Sequence, residues 1–276
     1  MILIAESGST KTDWVFLGEN GSLNCQQSPG INPFYQDTTS IYRNISTLKK
    51  FDSVDQIYFY GAGCANEEKN QIVQDALLKA FPNANCEINS DLLAAARSLC
   101  GTDKGIACIL GTGSNSCLYN GESIEHNVSP LGFILGDEGS GAVLGKKLVA
   151  DILKNQAPKE ISDSFYKTYD LTGADIVHWV YREEFPNRFL AQFTVFLADN
   201  IGNEYVSNLV QNSFVEFFER NIKQYNKCTE LKVHFTGSIA YHFKNELKKA
   251  ADETGLTLGK ILKSPLEGLI QFHSGK

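Results

Sequence analysis

The chain opens on an apolar run, Ile2 to Ile4, that reaches the small polar turn Ser7-Gly8-Ser9-Thr10, resumes over Asp13 to Leu17, turns at Glu19-Asn20-Gly21 and runs on toward Gln27. The same order returns around residue 106. There Ile106 to Leu110 leads into Gly111-Thr112-Gly113-Ser114-Asn115, then Ser116 to Tyr119, the turn Asn120-Gly121 and a stretch toward His126. Short apolar runs bounded by Gly, Ser and Asn read as strands, and Asn-Gly after such a run predicts a type I′ hairpin with positive φ at both central residues. Each copy is therefore expected to be a three-stranded meander, and the shared order predicts a duplicated unit.

After each meander the period changes from two to that of a helix. Ile41, Tyr42, Ile45 and Leu48 fall on one face of a helix over Thr39 to Leu48, and a strand follows at Ile57 to Tyr60. The next helix starts at Asn66 as cap, with Glu67 and Glu68 in its positive first turn. Cys86 to Ile88 reads as a strand, and Asn89-Ser90-Asp91 opens a helix that Gly101 ends. In the second half Gly139-Ser140-Gly141 precedes a helix to about Asn155, and Val206 to Ile222 marks a long helix with one buried face. A strand over Leu231 to Phe235 ends at Thr236-Gly237-Ser238, and a last helix follows Pro265. The repeat divides the chain into domains 1–104 and 105–276, with the helix at about 265–273 expected to fold back on the first.

Composition narrows the functions available. With 25 basic and 32 acidic residues the formal net charge is −7, so no basic stripe offers a nucleic acid its counterion-releasing contacts. No run reaches membrane-spanning length, and the start has neither a basic leader nor a long apolar core, so a cytoplasmic location is expected. The seven cysteines include no C-x-x-C pair and read as reduced core thiols. The aromatic-rich stretch Trp179 to Phe196 is core or interface, core being the commoner outcome; the oligomeric state stays open, a homodimer being compatible with it.

Three turns share one character: Ser7-Gly8-Ser9-Thr10, Gly111-Thr112-Gly113-Ser114 and Thr236-Gly237-Ser238 each follow an apolar strand. Such turns present backbone amides and hydroxyls with no bulky side chain in the way, as phosphate oxygens require. Known phosphate signatures do not fit. G-x-x-x-x-G-K-[ST] fails at Gly141 to Gly145, which is one residue short, and G-x-G-x-x-G fails because Gly111-Thr112-Gly113 opens a strand where that motif needs a helix. No G-x-S-x-G elbow is present. Among carboxylates, Asp91 sits where a strand meets a helix; since Ser90 can cap that helix equally well, Asp91 is free to orient an acceptor hydroxyl. Asp137 and Glu138 lie in a glycine-dense loop and suit sugar hydroxyls or a metal ion; a loop that simply caps the next helix is the plainer reading.

At these residues the chain resembles the BadF/BadG-type ATPase and N-acetylglucosamine kinase family of the actin, hexokinase and heat-shock-chaperone ATPase superfamily, over nearly its whole length. Glu6 to Thr12 resembles the first phosphate motif and Leu110 to Asn115 the second. Leu135 to Gly141 resembles the loop after it, Phe235 to Ala240 the adenosine motif, and Ser264 to Leu269 the closing segment. The resemblance implies an α/β fold of duplicated ribonuclease H-like (actin-like ATPase) domains with mixed β-sheets and an interdomain cleft. It implies ATP and Mg²⁺ as cofactors. Ser9, Thr10, Lys11, Gly111, Thr112, Gly113, Ala191, Gly237 and Ser238 would lie on the ATP, and Glu6 would hold Mg²⁺ through water. Asp91 would be the catalytic base, with Asn32, Asp91, Ser114, Asn115, Leu131, Gly132 and Asp137 on the sugar.

Most of that superfamily has Asp where this chain has Glu6, and the N-acetylglucosamine kinases resemble it in having Glu. The iron–sulfur activators of the family hold a cluster through a glycine-flanked cysteine motif that Cys64 and Cys117 lack. The expected activity is ATP-dependent phosphorylation of an amino sugar, N-acetylglucosamine or a related N-acetylhexosamine. The alternative is a regulatory ATPase of the BadF/BadG type acting on a protein partner.

Overall fold

The structure, a computed structural model, describes residues 1–8, 11–18, 20–48, 54–64 and 66–275. The chain forms two compact units, Met1–Gly101 with Pro265–Lys276, and Thr102–Ser264. The first contains strands Ile2–Ser7 (β1), Lys11–Leu17 (β2), Leu23–Pro29 (β3), Gln56–Gly61 (β4) and Asn85–Ser90 (β5) in the order β3-β2-β1-β4-β5. The second contains Gly105–Leu110 (β6), Ser114–Tyr119 (β7), Ile124–His126 (β8), Lys232–Thr236 (β9) and Thr257–Leu262 (β10) in the order β8-β7-β6-β9-β10. Taken from the meander edge, both sheets run third, second, first, fourth, fifth. In each, the meander pairs are antiparallel and the two later pairs parallel. The duplication read from the sequence is therefore a duplication of sheet topology, and both sheets are mixed.

The helices are Thr38–Ile45 (α1), Glu67–Ala80 (α2) and Asp91–Cys100 (α3) in the first unit. The second holds Gly132–Leu135 (α4), Gly141–Leu153 (α5), Lys159–Thr168 (α6), Gly173–Arg182 (α7), Pro186–Ala191 (α8), Thr194–Asp199 (α9), Glu204–Arg220 (α10), Ser238–His242 (α11) and Lys244–Thr254 (α12); Leu266–Ser274 (α13) returns to the first. Local chemistry sets the starts. The Asn66 side chain accepts from Lys69 N, Ser90 Oγ from Leu93 N and Ser140 Oγ from Val143 N, satisfying amides that a helix's first turn leaves orphaned.

The Asn-Gly turns differ from expectation. Gly21 and Gly121 have positive φ (78° and 101°), but Asn20 and Asn120 do not, so neither turn is type I′. Instead Asn20 Oδ1 accepts Ser22 N and Asn120 Oδ1 accepts Glu122 N and Ser123 N. Asparagine closes both turns by side-chain mimicry of a backbone carbonyl rather than by a left-handed conformation. Both copies use the same device.

Strand alternation decides what each sheet face buries. In β1, Leu3 and Ala5 join Trp14, Phe59, Val73 and Leu77 in one cluster, while Ile4 points the other way to Tyr60, Ala94 and Leu269 of α13. The closing helix thus completes the second face of the first sheet. It lies so close to α3 that a Cβ on Gly268 would meet Ser98 Cα at 2.7 Å. Polar contacts fix its end: Tyr60 Oη lies 2.8 Å from His273 Nε2 and accepts Arg97 Nη1 at 2.7 Å, and Arg97 pairs with Glu87 at 2.7 Å. Burial pushes the His273 imidazole down to about 4, so it stays neutral here. The second core is aromatic, with Phe165, Phe193, Phe196, Phe214, Phe217, Phe218 and Phe235 in one cluster. The stretch Trp179 to Phe196 divides: Leu190, Phe193 and Phe196 are core, and Trp179, Tyr181 and Phe185 are exposed. Among the described residues no helix is long and apolar enough to cross a membrane, and all seven cysteines are free thiols.

Replacing Leu269 by Ala should cost about 2–5 kcal/mol in urea unfolding, because it opens a cavity between α13 and the first sheet. A loss below about 0.5 kcal/mol would show that the closing helix is not part of that core.

Candidate active site

In the second unit the turn after β6 is stitched to the start of α5. Gly141 N donates to Gly111 O (2.8 Å) and Ala142 N to Thr112 O (3.0 Å), so the turn's carbonyls face the helix amides. Close backbone approach gathers the remaining pieces. Gly237, at φ 116°, sits so near the end of β6 that a Cβ would stand 2.7 Å from the Leu110 carbonyl carbon; its N–H donates to Leu262 O at 3.0 Å. A Cβ on Gly141 would meet Ala191 Cβ at 3.2 Å, Gly111 O at 3.2 Å and Ile239 Cδ1 at 3.4 Å. Ala191 arrives because Gly145 of α5 lets the Leu190 backbone of α8 lie against it. Gly111, Thr112, Ala191, Gly237 and the start of α11 at Ser238 thus converge on one helix N-terminus, although they are scattered in sequence. Thr236 Oγ1, next to Gly237, is buried without a hydrogen-bond partner.

Asp137 closes this cluster from the other side. A Cβ on Gly113 would stand 3.0 Å from its Oδ2, and its Oδ1 accepts Ser114 N at 3.3 Å. Its backbone is left-handed (φ 55°), held by Asp137 N to Pro130 O (2.8 Å) and Ser140 N to Asp137 O (3.0 Å). A non-glycine residue there costs on the order of 1 kcal/mol, which only the surrounding contacts can offset. Burial, with the Glu138 charge adding, pushes its carboxyl up to about 6. Glu138 itself points elsewhere, into an ion pair with Arg220 and a bond from Asn221. The structure separates the two carboxylates that the sequence left together: Glu138 is tied to protein, and Asp137 faces the Gly113-Ser114 turn. Asn115 Oδ1 accepts Ser116 N and Asn127 Nδ2, while Leu131 (φ 60°) and Gly132 (φ 72°) form an exposed left-handed bend at the start of α4.

In the first unit Ser9 and Thr10, at the tip of the corresponding turn, lie outside the described residues. The base of the turn is held by Ser7. Ser7 Oγ bonds Thr12 Oγ1 (2.8 Å), Ile31 O (3.0 Å) and Ile31 N (2.9 Å), which places Asn32 beside the turn. Asn32 Oδ1 accepts Phe34 N at 3.0 Å, and Gly63 (φ 87°) leaves room for it: a Cβ there would meet Asn32 Cγ at 3.0 Å. Lys11 is an exposed side chain paired with Asp13 at 2.8 Å.

Glu6 and Asp13 stand directly opposite in the β1/β2 ladder. Burial first, then Asp13 and Asp91, push the Glu6 carboxyl up to about 7. Asp91 is raised too, by burial, against the lowering effect of the backbone amides of Leu92 and its own residue. Ser90 supplies the cap to Leu93 N, and Asp91 occupies the first helical position with its carboxylate against the amides of Leu92 and its own residue. Among the described residues no group of three His, Cys, Asp or Glu stands ready to chelate a metal directly. Hard carboxylate oxygens whose charge is destabilised by burial and by each other do fit a cation such as Mg²⁺ that keeps its waters.

Two features had no sequence signal. Cys64 is buried close enough to Asp91 that the carboxylate helps raise its thiol, and Gly63 shapes the Asn32 loop.

No protein-family model matches the chain, and no curated protein matches it. Among solved structures, a protein of Porphyromonas gingivalis assigned as an N-acetylglucosamine kinase is 49% identical, covers 100% of this chain and 99% of its own, and superposes with a TM-score of 0.95. A Chromobacterium violaceum protein with the same assignment is 13% identical over 98% of each chain, with a TM-score of 0.79. The ROK hexokinase of Thermus thermophilus is 11% identical over 100% of this chain and 99% of its own, with a TM-score of 0.54. The last two show the fold alone.

A buried acid with a raised pKa costs nothing below the unfolded value of 4.5; the cost grows as pH rises and is complete above about 7. Glu6→Gln should therefore melt at a higher temperature than the parent at pH 8 and at an equal one at pH 4.5, in metal-free buffer. An equal melting temperature at both pH values would contradict the desolvated carboxylate.

Proposed function

Because the chain belongs to the N-acetylglucosamine kinase family of the actin-like ATPase superfamily, we propose that it transfers the γ-phosphate of ATP to a hydroxyl of N-acetylglucosamine or a related N-acetylhexosamine. The observation that supports this most strongly is the convergence of Gly111, Thr112, Ala191 and Gly237 at the start of α5, where close backbone approach leaves a cradle of small residues beside the Gly111–Ser114 turn. Gly111, Thr112 and Gly113 take the phosphates, with Ser9, Thr10 and Lys11 of the first turn; Gly237, Ser238 and Ala191 take the adenosine side. Asn32, Ser114, Asn115, Asp137 and the Leu131-Gly132 backbone hold the sugar.

Asp91 orients the acceptor hydroxyl and accepts its proton as the new phosphorus–oxygen bond forms and the bond from the γ-phosphorus to the β,γ-bridging oxygen breaks, releasing ADP. Its raised carboxyl is the better base for that transfer. Phosphoryl transfer is largely dissociative, so positioning by these residues supplies most of the catalysis. Glu6 would hold Mg²⁺ through water, and the ion would offset phosphate charge. Reliance on ATP and a small sugar fits work in the cytoplasm without a nucleic acid or membrane partner; a homodimer is compatible with this reading.

Asp91→Asn should lower kcat by about 10²–10⁴-fold while the dissociation constant for ATP stays within about threefold of the parent. A coupled ADP-release assay across free amino sugars checks it. Slow release that ignores both the sugar and the substitution would favour the regulatory ATPase instead.

A further inference from the structure

Glu138 is a buried carboxylate that touches neither turn of the candidate site, and a buried charge persists only when it is paired. Its partners come from the far end of α10. Oε1 lies 2.9 Å from Arg220 Nε, the last helical residue, and Oε2 accepts Asn221 Nδ2 of the cap at 3.2 Å. One residue on, Gly139 N donates to the buried Ser213 Oγ of the same helix at 3.2 Å, and a Cβ on Gly139 would press on Phe214 and Phe217. Thus α10 grips the loop at Glu138 and again at Gly139, immediately after the left-handed Asp137. Arg220 is largely exposed and stands at a helix C-terminus, which favours its charge.

Resting on the sugar-kinase reading, we propose that the Glu138–Arg220 ion pair is a positioning device that sets both the orientation and the charge state of the sugar-binding carboxylate of Asp137. Orientation follows from the two-point grip. The electrostatic part follows from neighbours: Glu138 on the loop disfavours the Asp137 carboxylate, Lys146 of α5 favours it, and Arg220 acts on it by neutralising Glu138. Lys146 is itself held by Phe133 O at 2.6 Å and faces Lys147 and Glu216. A merely structural ion pair would cost stability whichever partner were removed and leave the titration of Asp137 where it was. A tuning pair moves Asp137 in opposite directions, because Glu138→Gln deletes a like charge near it and Arg220→Gln leaves that charge uncompensated.

The test is the pH dependence of N-acetylglucosamine binding by calorimetry, from pH 5 to 8, for the full chain and its variants. Glu138→Gln should move the midpoint of the acid limb to lower pH and Arg220→Gln to higher pH. Each should weaken binding at pH 7.5 by about 3–30-fold, while ATP binding stays within about twofold. Arg220→Lys, which keeps the charge, should restore the parent midpoint and guards against a folding defect. Midpoints that stay put, or move the same way in both variants, overturn the proposal, as does a parent chain that binds no N-acetylglucosamine. A parent that binds the sugar with these opposite shifts but releases no ADP supports the tuning pair and sinks the kinase reading alone.

Discussion

Close packing of backbone against backbone around the start of α5 is the constraint on which the second unit's site depends. Gly237 against Leu110 and Gly145 against Leu190 bring main chain nearer than a Cβ would allow, and a Cβ on Gly141 would be crowded by Gly111 O and Ala191. The result is a cluster in which the main chain of the Gly111 turn, the start of α5, Ala191 and Gly237 meet with only small side chains between them. A larger residue at any of these glycines would separate elements that are far apart in sequence, so the site is a property of packing and not of one motif.

The acidic side of the chemistry rests on the opposite strategy. Glu6 and Asp91 are carboxylates whose charge burial makes unfavourable, Asp13 and Asp91 adding to the effect on Glu6, and Asp137 is held in a strained backbone by hydrogen bonds on both sides. These are costs to the empty protein. On the proposed reading, a cation held at Glu6 and a hydroxyl bonded to Asp137 would each offset part of that cost, which would then appear as binding energy. The aromatic core of the second unit and the closing helix on the first supply the stability against which such costs are set.

Much of this was legible in the residues. The repeated meander, with its Asn-Gly turns, foretold two sheets of one topology, and the doubled cap candidates Ser90 and Asp91 foretold that one would be released from capping. Asn20 and Asn120 misled on turn type, because asparagine serves a turn either by left-handed backbone or by its side-chain oxygen, and sequence does not distinguish them. The division of labour between Asp137 and Glu138 was hidden because Arg220 and Asn221 lie at the end of a helix more than eighty residues on. The same holds for Ala191, whose place beside Gly141 depends on Gly145 admitting α8. Pairings local in sequence were readable; those made by packing were not.

A crystal structure with a non-hydrolysable ATP analogue, Mg²⁺ and N-acetylglucosamine tests the central claim most directly. The account predicts phosphate oxygens within hydrogen-bond distance of the Thr112 and Gly113 amides and the adenosine against Gly237. Phosphates bound away from the Gly111–Gly113 turn would contradict it.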